Sequence, residues 1–174
     1  MKKINLPIDD ETVMSLKAGE VVSLSGYVYT ARDAAHKRMV NHLEETSELP
    51  IDVRGQAIYY VGPSPAKPGD VIGSAGPTTS YRMDDLTLPL LERGLKIMIG
   101  KGKRAEKVID GMKKYKAVYL GAIGGAGAYI SNSIKEAEVI MYEDLGSEAV
   151  RRIYIEDIVL TVVIDAYGNN IYER

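Results

Sequence analysis

Residues 84–120 read DDLTLPLLERGLKIMIGKGKRAEKVIDGMKKYKAVYL, and the alternation inside this stretch decides the fold class. A helix from about Asp84 to Arg93 is expected to give way to a strand over Lys96–Ile99, a helix over Arg104–Tyr115 and a strand over Ala117–Leu120, the pattern of helices laid against a sheet. Working back towards the N-terminus, Lys3–Leu6 reads as a short strand. Glu20–Tyr29 (EVVSLSGYVY) alternates apolar and polar residues as a half-buried strand does. A helix is expected from about Ala31 to Glu45, with Ala35, Met39, Val40 and Leu43 at helical spacing. Ala57–Val61 and Val71–Ser74 read as further strands, partners in one sheet, separated by the tight loop GPSPAKPGD at 62–70. Beyond a glycine-rich turn, GAIGGAGAYI at 121–130, come strands over Ala137–Tyr142, Arg152–Glu156 and Leu160–Ala166. A last hairpin turns at Tyr167–Asn170. The sum is α/β with a mixed sheet, one domain over 1–174, and no internal repeat.

Composition narrows the function classes. The chain has 174 residues, 45% of them apolar and 26% charged, which is enough for a hydrophobic core and typical of a globular domain. With 22 Lys and Arg against 24 Asp and Glu, the net charge is −2, which gives no reason to expect nucleic acid or an anionic membrane as a partner. No apolar run approaches 18 residues and no leader follows Met1, so a cytoplasmic protein without a membrane span is expected. There are no cysteines. Thiol catalysis, disulfides and a thiolate-held metal or iron–sulfur cluster are therefore excluded for this chain alone. The 12 tyrosines beside no phenylalanine and no tryptophan carry no functional reading.

Four segments collect catalytic or anion-binding residue types at the ends of expected elements. Strand-to-helix loops are where α/β proteins place ligands, because helix N-termini offer unpaired N–H groups. In TARDAAHKR (30–38), Thr30 could simply cap the helix with Asp33 near the positive dipole end and His36 and Arg38 in solvent. Alternatively, Arg32 forks two hydrogen bonds onto a carboxylate or phosphate. IGKGKR (99–104) is not a phosphate-binding P-loop: Lys101 is followed by Gly102 and no glycine stands at the required spacing before it. It is either a basic turn or a place where flanking glycines let an anion approach the Lys101 ammonium. GAIGGAGAY lacks the dinucleotide spacing and reads as a tight turn with close backbone packing. AGPTTSYRMDD (75–85) combines a turn at Gly76-Pro77, three hydroxyls and an arginine. Helix capping explains one hydroxyl and the acids Asp84 and Asp85, but not Arg82.

AGPTTSYRMD, with ARDAAHKR upstream and IGKGKR downstream, resembles the C-terminal domain of class I fumarate hydratases, the iron–sulfur hydro-lyases. L-tartrate dehydratase is the close relative that shares the GPTTSxRMD motif. The order and spacing of the segments match from about Val21 to Tyr172. In some members this domain follows a larger iron–sulfur domain, and in others it is a separate β subunit, which a chain of this length starting at Met1 resembles. The resemblance implies a swivelling three-layer β/β/α domain. It implies also that a 4Fe-4S cluster sits on a cysteine-bearing α subunit, in an α2β2 hetero-oligomer, and that this chain is inactive alone.

Carried over residue by residue, the resemblance makes Thr78 the catalytic base, and Arg82, Arg32 and Lys101 ligands of the substrate carboxylates, with Lys103 as the competitor for the role of Lys101. Asp33 and His36 are assigned to the catalytic group and Thr79 to substrate binding, in supporting roles. The chemistry gives these residue types a reason. Dehydrating malate removes a proton from the carbon beside a carboxylate, and fixed positive charge stabilises the polyanion that develops. A threonine is a poor base at its usual pKa, so Thr78 needs a carboxylate or a strongly cationic site, with Asp33, Asp84 and Asp85 near it in sequence and others on the partner. The open alternatives are L-tartrate as substrate, a freestanding dicarboxylate-binding module, and a purely structural subunit.

Overall fold

A computed structural model describes residues 1–122 and 127–173. Its strands are β1 (Lys2–Asn5), β2 (Val21–Thr30), β3 (Ala57–Tyr59), β4 (Ile97–Gly100), β5 (Val118–Gly121), β6 (Ile134–Met141) and β7 (Val150–Ile164). Its helices are α1 (Asp10–Ser15), α2 (Asp33–Thr46), α3 (Asp84–Glu92), α4 (Glu106–Tyr115) and α5 (Gly127–Ser133). The sheet runs β1-β2-β3-β4-β5-β7-β6, and an additional β2–β7 pairing closes it. β2, β3, β4 and β5 are parallel, whereas β7 returns antiparallel to both β5 and β2. Five strands thus form a closed barrel, with β1 beside the start of β2 and β6 along β7.

The strand sequences explain why the molecule is layered. Along β3 to β5 alternate residues face opposite sides, as the strand period of two requires. Ala57, Tyr59, Ile97, Ile99, Val118 and Leu120 enter one core together with Val22, Leu24, Ile153, Ile155 and Val162. Their neighbours Ile58, Tyr60, Met98 and Tyr119 enter a second core, with Met39 of α2, Leu90 and Leu91 of α3, and Val108 and Met112 of α4. Two cores separate three layers: one wall of the barrel, the opposite wall, and a layer of helices. The expected α/β fold with a mixed sheet in a β/β/α arrangement is therefore present.

Three local expectations need correction. Val71–Ser74 forms no strand. It folds back on its own loop, with Ser64 N donating to Ser74 O at 3.0 Å and Ser74 N to Ser64 Oγ at 2.8 Å, and Gly73 packed where a Cβ would lie 2.1 Å from Ser64 O. The two C-terminal strands are one strand of 15 residues. Asp157, at φ 51°, kinks it where the register against Leu24–Gly26 shifts, and this irregularity imitates a turn in the sequence. The short helix α1 went unread; Asp9 caps it by accepting from Thr12 N at 2.8 Å. The turn assigned to GAIGGAGAY lies partly outside the described residues.

Candidate active site

β2, β3 and β4 are parallel neighbours, so the residues that follow them emerge at one edge of the sheet. That edge carries Ala31-Arg32 after β2, Tyr60-Val61-Gly62 after β3 and Lys101-Gly102 after β4. Residues 75–80 are sewn onto the same edge. The Tyr59 hydroxyl donates to the Ala75 carbonyl, Thr78 N donates to Tyr60 O at 2.7 Å, Ser80 N donates to Lys101 O at 2.9 Å, and Thr79 forms a parallel bridge with Lys101. β3 and β4 still pair at Tyr60 and Ile99; beyond that point residues 78–80 bond to both. Arg32 completes the row, with its Cδ 3.0 Å and its Nη1 3.2 Å from where a Cβ on Gly62 would be. Any side chain at position 62 would displace it.

Arg32, Thr78, Thr79 and Lys101 are thus contiguous along one edge. Arg82 sits on the 3-10 turn Ser80–Met83 that leaves this edge, and it is exposed. Among the described residues Arg82 is the only arginine with no carboxylate, carbonyl or ring partner. Lys101 and Lys103 are exposed and likewise form no ion pair with any described residue. Gly102 adopts φ +84°, which needs glycine, so the turn after Lys101 is fixed by sequence.

Arg32 is held less completely. Its Nε lies 3.6 Å from Asp33 Oδ1 and 3.9 Å from Glu148 Oε1, and both Arg32 Nε and Asp33 Oδ1 are buried without a hydrogen bond. Glu148 instead accepts from Ala34 N at 3.2 Å, covering one of the free N–H groups of α2. Buried polar atoms without partners are costly and rare, so this corner is incomplete as it stands.

His36 is 1% exposed, against the simple expectation of a solvent-facing histidine. Its Nδ1–H donates to Arg32 O at 2.8 Å, which leaves Nε2 as a buried acceptor without a partner. Burial pushes its pKa down to about 4 and the nearby Arg104 charge adds to this, so the ring is neutral at pH 7. His36 therefore holds the backbone of Arg32 from below. Thr30 does not cap α2; its hydroxyl accepts from Arg151 N at 3.1 Å.

Two of the three carboxylates named as candidates to activate Thr78 are committed elsewhere. Asp84 accepts from Arg104 Nε at 2.7 Å and from Ala105 N at 2.8 Å, and Asp85 pairs with Lys107. Asp33 remains, beside Arg32. No described residue forms a hydrogen bond with the Thr78 side chain.

Arg104 and its partners are what the sequence reading missed. The Arg104 side chain is fully buried. Its guanidinium donates also to Thr87 Oγ1 at 3.1 Å, Tyr60 Oη at 3.3 Å and Met98 Sδ at 3.4 Å, and lies 5.2 and 5.1 Å from the ring centres of Tyr60 and Tyr119. Ser80 Oγ and Tyr119 Oη are 2.7 Å apart, and Tyr119 Oη donates to Gly102 O at 2.9 Å, so Ser80 is the donor in that pair. The only signal in the sequence was Arg104's place at the end of IGKGKR, where it looks like one more basic residue of a solvated turn.

A cleft of about 790 Å³ lies elsewhere. Its walls are residues 47–54 and 92–94, at the C-terminal ends of α2 and α3, and none of the expected site residues lines it. No three His, Asp or Glu side chains converge on a metal-sized site among the described residues, and the chain has no cysteine. The residues present therefore do not fit an iron–sulfur cluster. No described helix is long and apolar enough to cross a membrane.

Comparison with known proteins places the chain in a family. The family model described as Fumarase C-terminus matches residues 1–174. A Methanocaldococcus jannaschii protein, provisionally named L(+)-tartrate dehydratase subunit beta, is 36% identical over 168 residues, covering 93% of this chain and 86% of that protein. The aerobic class I fumarate hydratase of Escherichia coli is 37% identical over 155 residues, and a Geobacillus stearothermophilus protein provisionally named class I fumarate hydratase is 34% identical over 175. The chain spans 28% and 33% of the lengths of those two proteins. By the full-length match to the family model and the near full-length match to the archaeal protein, this chain belongs to the fumarase C-terminus family.

Proposed function

We propose that the chain is the β-type subunit of a two-component hydro-lyase that interconverts fumarate and L-malate. The observation that carries this reading is the single sheet edge where Arg32, Thr78, Thr79 and Lys101 are contiguous and Arg82 stands nearby without an ion-pair partner. An exposed arginine on a 3-10 turn, without a partner among the described residues, is a cation available to a ligand carboxylate. Names of relatives add the reaction class: class I fumarate hydratase for the longer proteins, and a dehydratase β subunit for the one of similar length.

In this reading Arg82, Arg32 and Lys101 bind and orient the two substrate carboxylates and stabilise the charge that develops on proton removal. Thr78 takes the proton from the carbon beside one carboxylate. Asp84 and Asp85 are occupied by Arg104 and Lys107, so the carboxylate that activates Thr78 is either Asp33 or a group on the partner. The incomplete polar corner at Arg32, Asp33 and His36 supports a face that is finished by substrate and a second chain. A 4Fe-4S cluster would act on the leaving hydroxyl and would belong to a cysteine-bearing α subunit, since this chain supplies no ligands for it. An α2β2 assembly is part of the proposal.

A second reading, L(+)-tartrate as substrate, is favoured by the archaeal relative whose length this chain nearly matches. The two substrates differ by one hydroxyl, so the ratio of turnover rates in the assembled enzyme decides between them. Anaerobic purification from the native cell, followed by assays on both substrates, tests the reading; a chain that brings down no cysteine-bearing partner, or a complex with neither activity, refutes it.

A further inference from the structure

A buried ion pair is weak support for stability, because taking two charges out of water costs about as much as their attraction returns, and apolar residues of the same volume often do as well. The Arg104–Asp84 pair, with side chains 0% and 9% exposed, therefore calls for a reason other than stability. Its partners supply one. Asp84 directly follows the turn that carries Arg82, and its second oxygen accepts from Ala105 N at the start of α4. Tyr60, which receives Arg104 through its hydroxyl, accepts Thr78 N through its carbonyl. Tyr119, the other ring beside the guanidinium, bonds both Ser80 Oγ, on the Arg82 turn, and Gly102 O, on the Lys101 turn.

The Arg82 turn and Thr78 are tied to this single guanidinium within one or two hydrogen bonds, and the Lys101–Gly102 turn through the Tyr119 ring beside it and one hydrogen bond. A lysine could neutralise Asp84, but it could not make the planar fork that reaches Asp84, Thr87 and Tyr60 at once.

We infer that Arg104 is a positioning residue for the proposed hydro-lyase site: it sets the Arg82 turn and the Lys101–Gly102 turn relative to each other, so that both cations meet one dianion. The inference rests on the reading above for its assay. Its geometric content is narrower, since it requires Arg104 to act through Arg82 and Lys101.

The test is a pair of double-mutant cycles in the purified complex with its native partner. Arg104→Lys should lower kcat/KM by about 100-fold, the effect of a displacement near 1 Å. Tyr119→Phe, which removes one tie to each turn, should lower it about 2- to 10-fold. The decisive reading is non-additivity. Arg104→Lys placed on Arg82→Met, and Tyr119→Phe placed on Lys101→Met, should add little to the loss the second variant causes alone. Losses that multiply in both cycles, or single variants that merely lower the yield of folded complex at unchanged kcat/KM, overturn the inference. If Arg104→Lys fails to fold, the Tyr119 cycle decides alone.

If the wild-type complex turns over neither fumarate nor L(+)-tartrate, the hydro-lyase reading falls, and the inference is judged on calorimetric binding of (S)-malate to the purified chain. There Arg104→Lys must weaken binding about as much as Arg82→Met does. Binding that ignores Arg104, or no binding at all, overturns it.

Discussion

Gly100 ends β4 against the turn that carries the candidate site, and a single methyl there should disturb both stability and the site. A Cβ at position 100 would lie 2.1 Å from Ser80 Oγ and 2.8 Å from Tyr60 Cδ2. Neither contact is tolerable, so in Gly100→Ala the Ser80 side chain must rotate away from its 2.7 Å bond to Tyr119 Oη. Overpacking a tight core costs about 1–3 kcal/mol, and a buried hydroxyl that loses its partner costs a further ~1–3 kcal/mol. The sum is roughly 2–6 kcal/mol, or a fall in Tm of roughly 4–24 °C for a domain of this size.

Urea unfolding followed by far-UV circular dichroism measures it. The diagnostic comparison is Ser80→Ala/Gly100→Ala. With Oγ gone, the nearest Ser80 atom would be Cβ at 3.4 Å, an ordinary contact, while the Tyr60 clash remains. Roughly half the lost stability should return, a positive coupling between the two sites. A Gly100→Ala protein within about 0.5 kcal/mol of wild type, or a double variant no more stable than Gly100→Ala, would refute the reasoning.

Three further predictions use the same geometry. Arg82→Met should leave Tm unchanged, because Arg82 has no partner among the described residues, while kcat/KM of the assembled enzyme falls by about 100-fold or more with the loss of a forked carboxylate contact at ~1.5–3 kcal/mol per bond; a drop in Tm with unchanged kinetics contradicts it. Thr78→Ala should cut kcat by about 10²–10⁴-fold with little change in KM, as expected for loss of a proton-transfer group, and unchanged turnover removes Thr78 from the mechanism. His36 titrates near pH 4 in the fold and near 6.5 when unfolded. Between those values the unfolded chain binds a proton that the native one does not, so stability falls as pH drops from about 6.5 to about 4 and is insensitive to this group above that window, a loss of about 3 kcal/mol in all. His36→Asn should remove that share of the acid sensitivity in denaturation curves taken at pH 7 and pH 4.5, and an identical slope for both proteins contradicts it.

The α/β alternation was legible because short apolar runs and helical periods succeed one another along residues 84–120, but the three layers came from the family resemblance: Ile97, Met98 and Ile99 are all apolar and buried, so no period of two shows that they serve two cores. Val71–Ser74 misled because an apolar run says nothing about where its backbone polar groups go; here the Ser74 N–H and carbonyl both bond to Ser64 of its own loop. The length of β7 was hidden by Asp157, whose positive φ and polar side chain look like a turn when the sheet is unseen.

The candidate site drew attention through local composition. Arg32, Thr78, Thr79, Arg82 and Lys101 stand in short motifs of unusual composition at element ends. Arg104 does not. Its burial depends on Tyr60 and Tyr119 arriving from two different strands, and nothing local marks a charged residue for the core. His36, assigned a supporting catalytic role by the resemblance, faces solvent in the plain reading of its motif, and its burial beside Tyr60, whose ring centre lies 5.4 Å away, leaves no local mark in the sequence.

Anaerobic affinity purification of this chain from its native cell, with fumarate and L(+)-tartrate assays on the material recovered, tests the central claim most directly. The account predicts a cysteine-bearing, iron–sulfur-coloured partner and oxygen-sensitive hydration of fumarate, or dehydration of L(+)-tartrate, that is lost in Thr78→Ala and Arg82→Met. A colourless lone chain with neither activity, or an active complex indifferent to both substitutions, would contradict it.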